Sequence, residues 1–185
     1  MPPKPARDVE EPTEMYCAAL PLSGDRKPLP VVTTTVSESR GQASPNGRWL
    51  AYQAGGVSRR PDVFVRLLAG AGTHQVATNG GTSPRWRGDG RELFYLEGPS
   101  PAEGGKLMAV DVSPGAASFE RGAPRALFDS KYINYSHPPG GLFHAFAVSR
   151  DGQRFLIPRP LSAATYDGLS GVPVAVVINC SAALK

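Results

Sequence analysis

The chain contains two cysteines, Cys17 and Cys180, one near each end and each inside an apolar segment. Neither belongs to a CxxC pair, so no zinc or dithiol motif is present, and free buried thiols are expected ahead of a disulfide joining the ends. Long apolar runs are missing too: the longest, VPVAVVI from Val172 to Ile178, is far too short to cross a bilayer. The opening stretch MPPKPARDVEEPTE lacks an apolar core, which argues against a secretion signal; residues 1–14 are expected to form a disordered tail. No apolar stripe of period 3.6 runs for a useful length, which excludes long amphipathic helices. Concentrated charge is also absent. The net charge is +4, but arginines such as Arg48, Arg66, Arg91, Arg125 and Arg154 are spread one or two per segment. Nucleic-acid binders more often gather basic residues on one helix or arm, so no nucleic acid is expected as a partner.

Chemistry-bearing motifs are equally scarce. The three histidines, His74, His137 and His144, have no acidic cluster at ligand spacing, so they read as ordinary loop residues and no metal or cofactor is implied. GLSGV, Gly168 to Val172, lacks the final glycine of a serine-hydrolase nucleophile elbow and leads into a strand-like run. The glycine pairs Gly80-Gly81 and Gly140-Gly141 precede strand-like segments, where no helix N-terminus exists to cradle a phosphate.

Turn formers are what the chain has in abundance: 21 glycines and 19 prolines, more than a fifth of all residues, with a hydrophobic fraction of 41%. That composition favours short strands and many loops. A pattern recurs three times: SPNGRWLAYQ, WRGDGRELFYL and VSRDGQRFLI, with Gly47, Gly90 and Gly152 in register. In each, an Asx-Gly pair (Asn46-Gly47, Asp89-Gly90, Asp151-Gly152) separates two apolar runs. This is a strong hairpin signal, and a type I′ turn with two left-handed residues is the expected form. Third strands follow at Asp62 to Leu68, Lys106 to Val112 and Val172 to Asn179, and fourth strands at His74 to Thr78 and Arg125 to Asp129. Tyr16 to Thr34 matches the second half of one more unit.

A four-stranded unit repeating every 43 to 62 residues implies β-propeller blades. In ELFYL both alternating faces are apolar, so both must be covered, and blades stacked face to face do that. The fold class expected is therefore all-β: a partial propeller of about three four-stranded antiparallel blades plus a half-blade, forming an open arc. The expected divisions are a half-blade at 15–35, blades at 36–78 and 79–129, and an incomplete last blade at 143–180. Trp49, Leu50 and Tyr52 should pack against neighbouring blades, and Trp86 should be inter-blade core.

The repeats SPNGRWLAYQ and SRDGQRFLI resemble those of bacterial TolB-type, WD-repeat-like propellers. The run GGTSPRWRGDGRELFYL…GKLMAVDV is similar to the C-terminal blades of propellers appended to some bacterial serine/threonine protein kinases. The resemblance extends from Tyr16 to Lys185 and departs at Asn46, where aspartate is usual, and at Arg150, which stands where the first unit has Pro45. It implies a non-catalytic segment for ligand sensing or protein interaction, in an extracytoplasmic setting, from the C-terminal part of a larger sensor or envelope protein. The alternatives are an accessory portion of a kinase or prolyl-oligopeptidase-like enzyme, or a truncated remnant. The chain has no Gly-rich nucleotide loop, His-Arg-Asp loop or Asp-Phe-Gly, so kinase activity would belong only to a longer parent.

Recognition is expected at blade-end loops. Tyr132, Tyr135 and His137, in the long loop SKYINYSHPPGG, are amphipathic residues suited to a binding surface, though the same loop also fits a partnerless insertion. Arg85 and Arg87 are the expected channel-facing groups. A protein partner or small ligand would bind there, and self-association could complete the ring.

Overall fold

The computed structural model describes residues 17–32, 36–55, 60–70, 72–98, 105–115, 118–130, 145–158 and 175–179, with the backbone alone at 130, 158 and 175–179. Every regular element among them is a β-strand, and all pairings are antiparallel. Strands β1 (Cys17–Ala19) and β2 (Leu29–Val32) form a two-stranded sheet. Next comes a meander of β3 (Glu38–Ala43), β4 (Trp49–Gly55), β5 (Pro61–Leu67) and β6 (Thr73–Gln75), hydrogen-bonded in sequence order. The third sheet holds β7 (Thr82–Trp86), β8 (Glu92–Glu97), β9 (Gly105–Pro114), β10 (Phe119–Arg121) and β11 (Arg125–Ser130). The fourth holds β12 (Ala147–Val148), β13 (Arg154–Pro158) and β14 (Ala175–Asn179). No sheet closes on itself.

One detail differs from the sequence expectation. A single fourth strand was expected at Arg125 to Asp129, yet two strands share the outer edge of β9. The cause is length: β9 runs for 10 residues, and β11 pairs with it only from Gly105 to Ala109. The remaining end, Val112 to Pro114, pairs with β10. That short strand leaves fewer backbone groups unpaired on an exposed edge.

The strands are apolar on both faces, and the two faces belong to different cores. Successive side chains of a strand point to opposite sides of its sheet. Trp49 and Ala51 of β4 join Val63 and Val65 of β5 in a cluster completed by Trp86, Leu93, Tyr95, Met108 and Val110 of the third sheet. The intervening residues Leu50, Tyr52 and Ala54 face the opposite way and meet Val32, Val31 and Cys17 of the first sheet. The same alternation repeats one sheet further on. Phe94, Leu96, Leu107 and Ala109 turn away from Leu93 and Tyr95 to pack on Phe146, Phe155 and Ile157 of the fourth sheet. Phe94 and Phe155 meet edge to face with ring centroids 5.0 Å apart, a favoured aromatic geometry. Four sheets are thus joined by three cores, and Trp49, Leu50, Tyr52 and Trp86 occupy the inter-sheet positions expected of them.

Cys17 is a free, half-buried thiol on the core between the first two sheets. Burial chiefly, and then the nearby Glu38 carboxylate, raise its pKa, so it is a poor nucleophile. Cys180 lies outside the described residues. Glu38 is itself buried, and among the described residues neither of its carboxylate oxygens has a hydrogen-bond partner.

If both faces of β8 are core, truncation on either face must be costly. Leu93→Ala and Leu96→Ala, which act on different cores, are each expected to destabilise by about 2–5 kcal/mol in urea unfolding. Leu22→Ala, at a side chain 91% exposed, should stay within about 0.5 kcal/mol of the parent. A negligible loss at either Leu93 or Leu96 would mean that one face is not packed.

Candidate functional site

The three repeated hairpins end in turns of common construction. Gly47, Gly90 and Gly152 have φ of +69°, +73° and +74°, whereas Asn46, Asp89 and Asp151 are not left-handed. The type I′ turn expected from sequence is therefore absent. Instead each glycine N–H donates to the carbonyl three residues back: Gly47 to Ser44 at 2.8 Å, Gly90 to Arg87 and Gly152 to Ser149 at 2.9 Å. A second backbone bond closes the loop five residues apart, from Ser44 N–H to Trp49 O, Arg87 N–H to Glu92 O and Ser149 N–H to Arg154 O. The result is a four-residue connection containing one left-handed position.

The side chains explain why Asx was needed. Asn46, Asp89 and Asp151 each accept a hydrogen bond from the N–H two residues on, that of Arg48, Arg91 and Gln153. This Asx-turn does locally what a second left-handed residue would otherwise do. In the first and third turns a serine hydroxyl completes the arrangement. Ser44 donates to Asn46 and accepts from Trp49 N–H, and Ser149 donates to Asp151 and accepts from Arg154 N–H. In the second turn Arg87 takes the serine's place. Its guanidinium grips Asp89 through Nε and Nη2, both at 2.8 Å, and donates to Glu92 through Nη1 at 2.9 Å. Glu92 also pairs with Arg125. Hydrogen bonding from Arg87 is the largest cause that lowers the Asp89 carboxyl to about 2. Asp151, bound by Ser149 and by Gln153 N–H, is lowered as well.

The turns pack one upon the next. Gly90 lies against Pro45 of the first turn. Gly88 donates its N–H to Arg150 O of the third turn at 3.0 Å. A Cβ on Gly88 would stand 2.3 Å from Arg150 Cγ and 2.7 Å from its carbonyl oxygen. Between the second and third turns lies a cleft of about 500 Å³, lined by Arg87, Gly88, Asp89, Ser149, Arg150, Asp151 and Arg154. Its charges are unevenly satisfied. Arg87 is neutralised by Asp89 and Glu92, and Asp151 is occupied by its own turn. Among the described residues no carboxylate forms an ion pair with Arg150 or Arg154. Both side chains are exposed at the cleft wall, presenting donors to solvent.

Among solved structures, the chain is similar to a putative TolB from Agrobacterium tumefaciens over 91% of its length and 52% of that chain, with 15% identity and a TM-score of 0.61. It is also similar to TolB from Acinetobacter baumannii, with 12% identity and a TM-score of 0.51, over 84% of this chain and 33% of that one. The fold is that of a partial TolB-type β-propeller. This chain spans about half or less of the length of those propellers. A puromycin-hydrolysing peptidase of Mycobacterium tuberculosis also aligns, at 16% identity and a TM-score of 0.49, over 82% of this chain and 26% of that one. No family model matches the sequence, and no curated protein does.

Of the residues singled out from sequence, Arg87 lines the cleft, where it braces the second turn. Arg85, two positions earlier on β7, points elsewhere and donates from Nε to the carbonyl of Phe146, just before β12, at 3.3 Å. Tyr132, Tyr135 and His137 lie outside the described residues, as does His144. His74 sits in β6, where the fourth strand was expected to begin, and not in a loop as its reading as an ordinary histidine had it; its ring centroid is 5.3 Å from that of Phe119 and 6.0 Å from that of Trp49. Ser149, Arg150 and Arg154 were not anticipated as site residues. Arg150 was noticed only as a departure from Pro45, yet that departure gives the cleft a guanidinium with no ion-pair partner among the described residues. Among the described residues no group of three metal-ligating side chains is present, and no helix is long and apolar enough to cross a membrane.

Two outcomes test this geometry. Gly88→Ala should destabilise by about 1–3 kcal/mol, because the methyl must displace the Arg150 backbone; an unchanged unfolding midpoint would show that the turns are not in contact. The second outcome concerns pH. The Asp89 carboxylate has its pKa depressed in the folded protein, so its contribution is intact above the ordinary value of 3.8 and is lost as pH falls towards about 2. Asp89→Asn keeps the Asx acceptor, as Asn46 does in the first turn, but removes the charge. Its acid-unfolding profile should therefore be shallower than the parent's across that window, and a superimposable profile would refute the pairing.

Proposed function

We propose that this chain is a non-catalytic propeller segment that binds an acidic partner, either a protein surface or a small ligand, at the cleft between its second and third hairpin tips. The observation that carries the reading is the pair Arg150 and Arg154: two exposed guanidiniums on one cleft wall without an ion-pair partner among the described residues. Arginine is suited to the task because its planar fork meets carboxylates bidentately and loses little entropy per bond. The walls are held by turn-to-turn packing at Gly88 and by the Arg87–Asp89–Glu92 network, so the arginines project from a braced base. Preorganisation of this kind lowers the ordering cost of binding.

In keeping with its resemblance to envelope propellers and kinase-borne sensors, the segment would belong to a larger protein and act outside the cytoplasm. There, blade-end recognition would transmit the presence of a ligand or hold a partner. The far face of the fourth sheet, with Leu156 42% exposed, is where a further blade or a second copy would continue the stack.

The test uses a fluorescein-labelled hexaglutamate peptide as probe, with hexalysine as control, read by anisotropy. The acidic probe should bind with an affinity that falls as salt rises. The double variant Arg150→Gln, Arg154→Gln should weaken it about tenfold or more, ~1.4 kcal/mol. Both side chains are exposed, so the fold should be retained. Equal binding of the two peptides, or of parent and double variant, would overturn the assignment to this cleft.

A further inference from the structure

The cleft between the second and third hairpin tips holds both signs of charge, and they are not paired with each other. No side chain lining it is apolar. A ligand there gains little from burying hydrocarbon and must be held by its polar groups. Arg87 and Asp89 are spent on each other. Arg150, Arg154 and Asp151 remain, all three exposed. Among the described residues none of them belongs to an ion pair, although they share one cleft of about 500 Å³.

The construction of the turns keeps these opposite charges apart. Asp151 is folded back on its own turn, where Oδ1 accepts from Ser149 Oγ and, at 3.0 Å, from Gln153 N–H. These bonds, that from Ser149 first, lower the Asp151 carboxyl, so it is charged at neutral pH. Both end on one oxygen, which leaves the carboxylate with further acceptor capacity. Arg150 is set by the neighbouring turn. Its carbonyl accepts from Gly88 N–H at 3.0 Å, and its Cγ would lie only 2.3 Å from a Cβ on Gly88. The relation is reciprocal, since a Cβ on Gly152 would stand 2.7 Å from Arg87 Cδ. Each turn thus places a glycine under the arginine stem of the other. Arg154 is anchored by its own N–H, which donates to Ser149 Oγ at 2.9 Å. Two positive groups and one negative group therefore project into the cleft from fixed bases.

We infer that the cleft takes a dipolar ligand, a free amino acid or short peptide, whose carboxylate meets Arg150 and Arg154 and whose ammonium meets Asp151. The inference rests on the proposed role of the two arginines as an anchor for acidic groups, and it adds the residue that selects among them. A ligand with one carboxylate and one ammonium satisfies all three groups that lack an ion-pair partner among the described residues. A second anionic group in the same ligand would face Asp151, and such repulsion discriminates as effectively as attraction. The volume is that of a small-molecule site.

The test compares triglycine with N-acetyltriglycine, which keeps only the carboxylate, and triglycinamide, which keeps only the ammonium. Each is titrated by calorimetry at low, matched ionic strength and used to displace labelled hexaglutamate. Triglycine should bind about two- to fivefold more tightly than N-acetyltriglycine, the range of one exposed ion pair, and triglycinamide should bind least. Asp151→Asn keeps the Asx acceptor, as Asn46 does in the first turn. It should abolish the advantage of triglycine, leave N-acetyltriglycine at least as tightly bound and strengthen hexaglutamate. Glycine separates the two sources: binding comparable to triglycine assigns an amino acid, and a response to triglycine alone a peptide. If N-acetyltriglycine equals triglycine in the parent, or if hexaglutamate binds and triglycine does not, the inference falls while the arginine anchor stands. An undiminished advantage of triglycine in Asp151→Asn overturns it equally. Triglycine binding retained in the double variant Arg150→Gln, Arg154→Gln would refute the anchor itself.

Discussion

Each central sheet of this molecule has two dry faces, and that constraint governs the rest. In β8, Leu93, Phe94, Tyr95 and Leu96 are all at most 1% exposed. Consecutive residues of a strand point in opposite directions, so no single partner can cover them. The third sheet must lie between two others, and the same holds for the second, whose Trp49 and Leu50 serve different cores. Stacking of sheets is therefore a requirement of the strands. From it follow the convergence of the first strands β3, β7 and β12, the contact between hairpin tips and the cleft that the tips enclose.

The polar features divide by whether they hold the stack or face out of it. Gln42 accepts from Trp86 N–H at 2.9 Å, and its backbone carbonyl accepts from the Trp86 indole at 3.1 Å, so one residue of β3 anchors the next sheet's first strand. Arg121 and the Trp49 indole make comparable bonds between sheets, to Gln75 O and Gly115 O. Arg87, Asp89, Glu92 and Arg125 neutralise one another within the third sheet and its turn. Arg150, Arg154 and Arg85 make no such pairing among the described residues. A chain with scattered arginines and modest net charge thus exposes Arg150 and Arg154 at one cleft that only the fold assembles.

The architecture was legible because its signals are local and repeat. The Asx-Gly turns and the two-sided apolar strands read directly as stacked hairpins, and the inter-sheet placement of Trp49, Leu50, Tyr52 and Trp86 follows. The turn type was not legible. Asn-Gly and Asp-Gly suit type I′ and also suit the Asx-turn found here, and the choice rests on Ser44, Arg87 and Ser149, whose side-chain bonds favour the latter. The site was legible only in part. Arg87 and Arg85 stood out by their position in SPRWR, but what separates them is that Arg87 braces its own turn at the cleft whereas Arg85 donates to Phe146 O. Arg150 and Arg154 lie over 60 residues from Arg87 in sequence, and only the stacking of turns brings them to one cleft. The bulges that hold Arg40 and Ser83 in left-handed backbone left no trace in composition or periodicity, because neither is a residue that ordinarily marks it.

The central claim is that neighbouring sheets hold each other through side chains of opposite faces. A double-mutant cycle on Phe94 and Phe155, each replaced by leucine, tests it most directly, since their rings meet across the boundary between the third and fourth sheets at 5.0 Å. The account expects each single variant to destabilise and the pair to show a coupling of about 0.5–1.5 kcal/mol. Strict additivity of the two losses would place the fourth sheet out of contact with the third and contradict the stacked architecture.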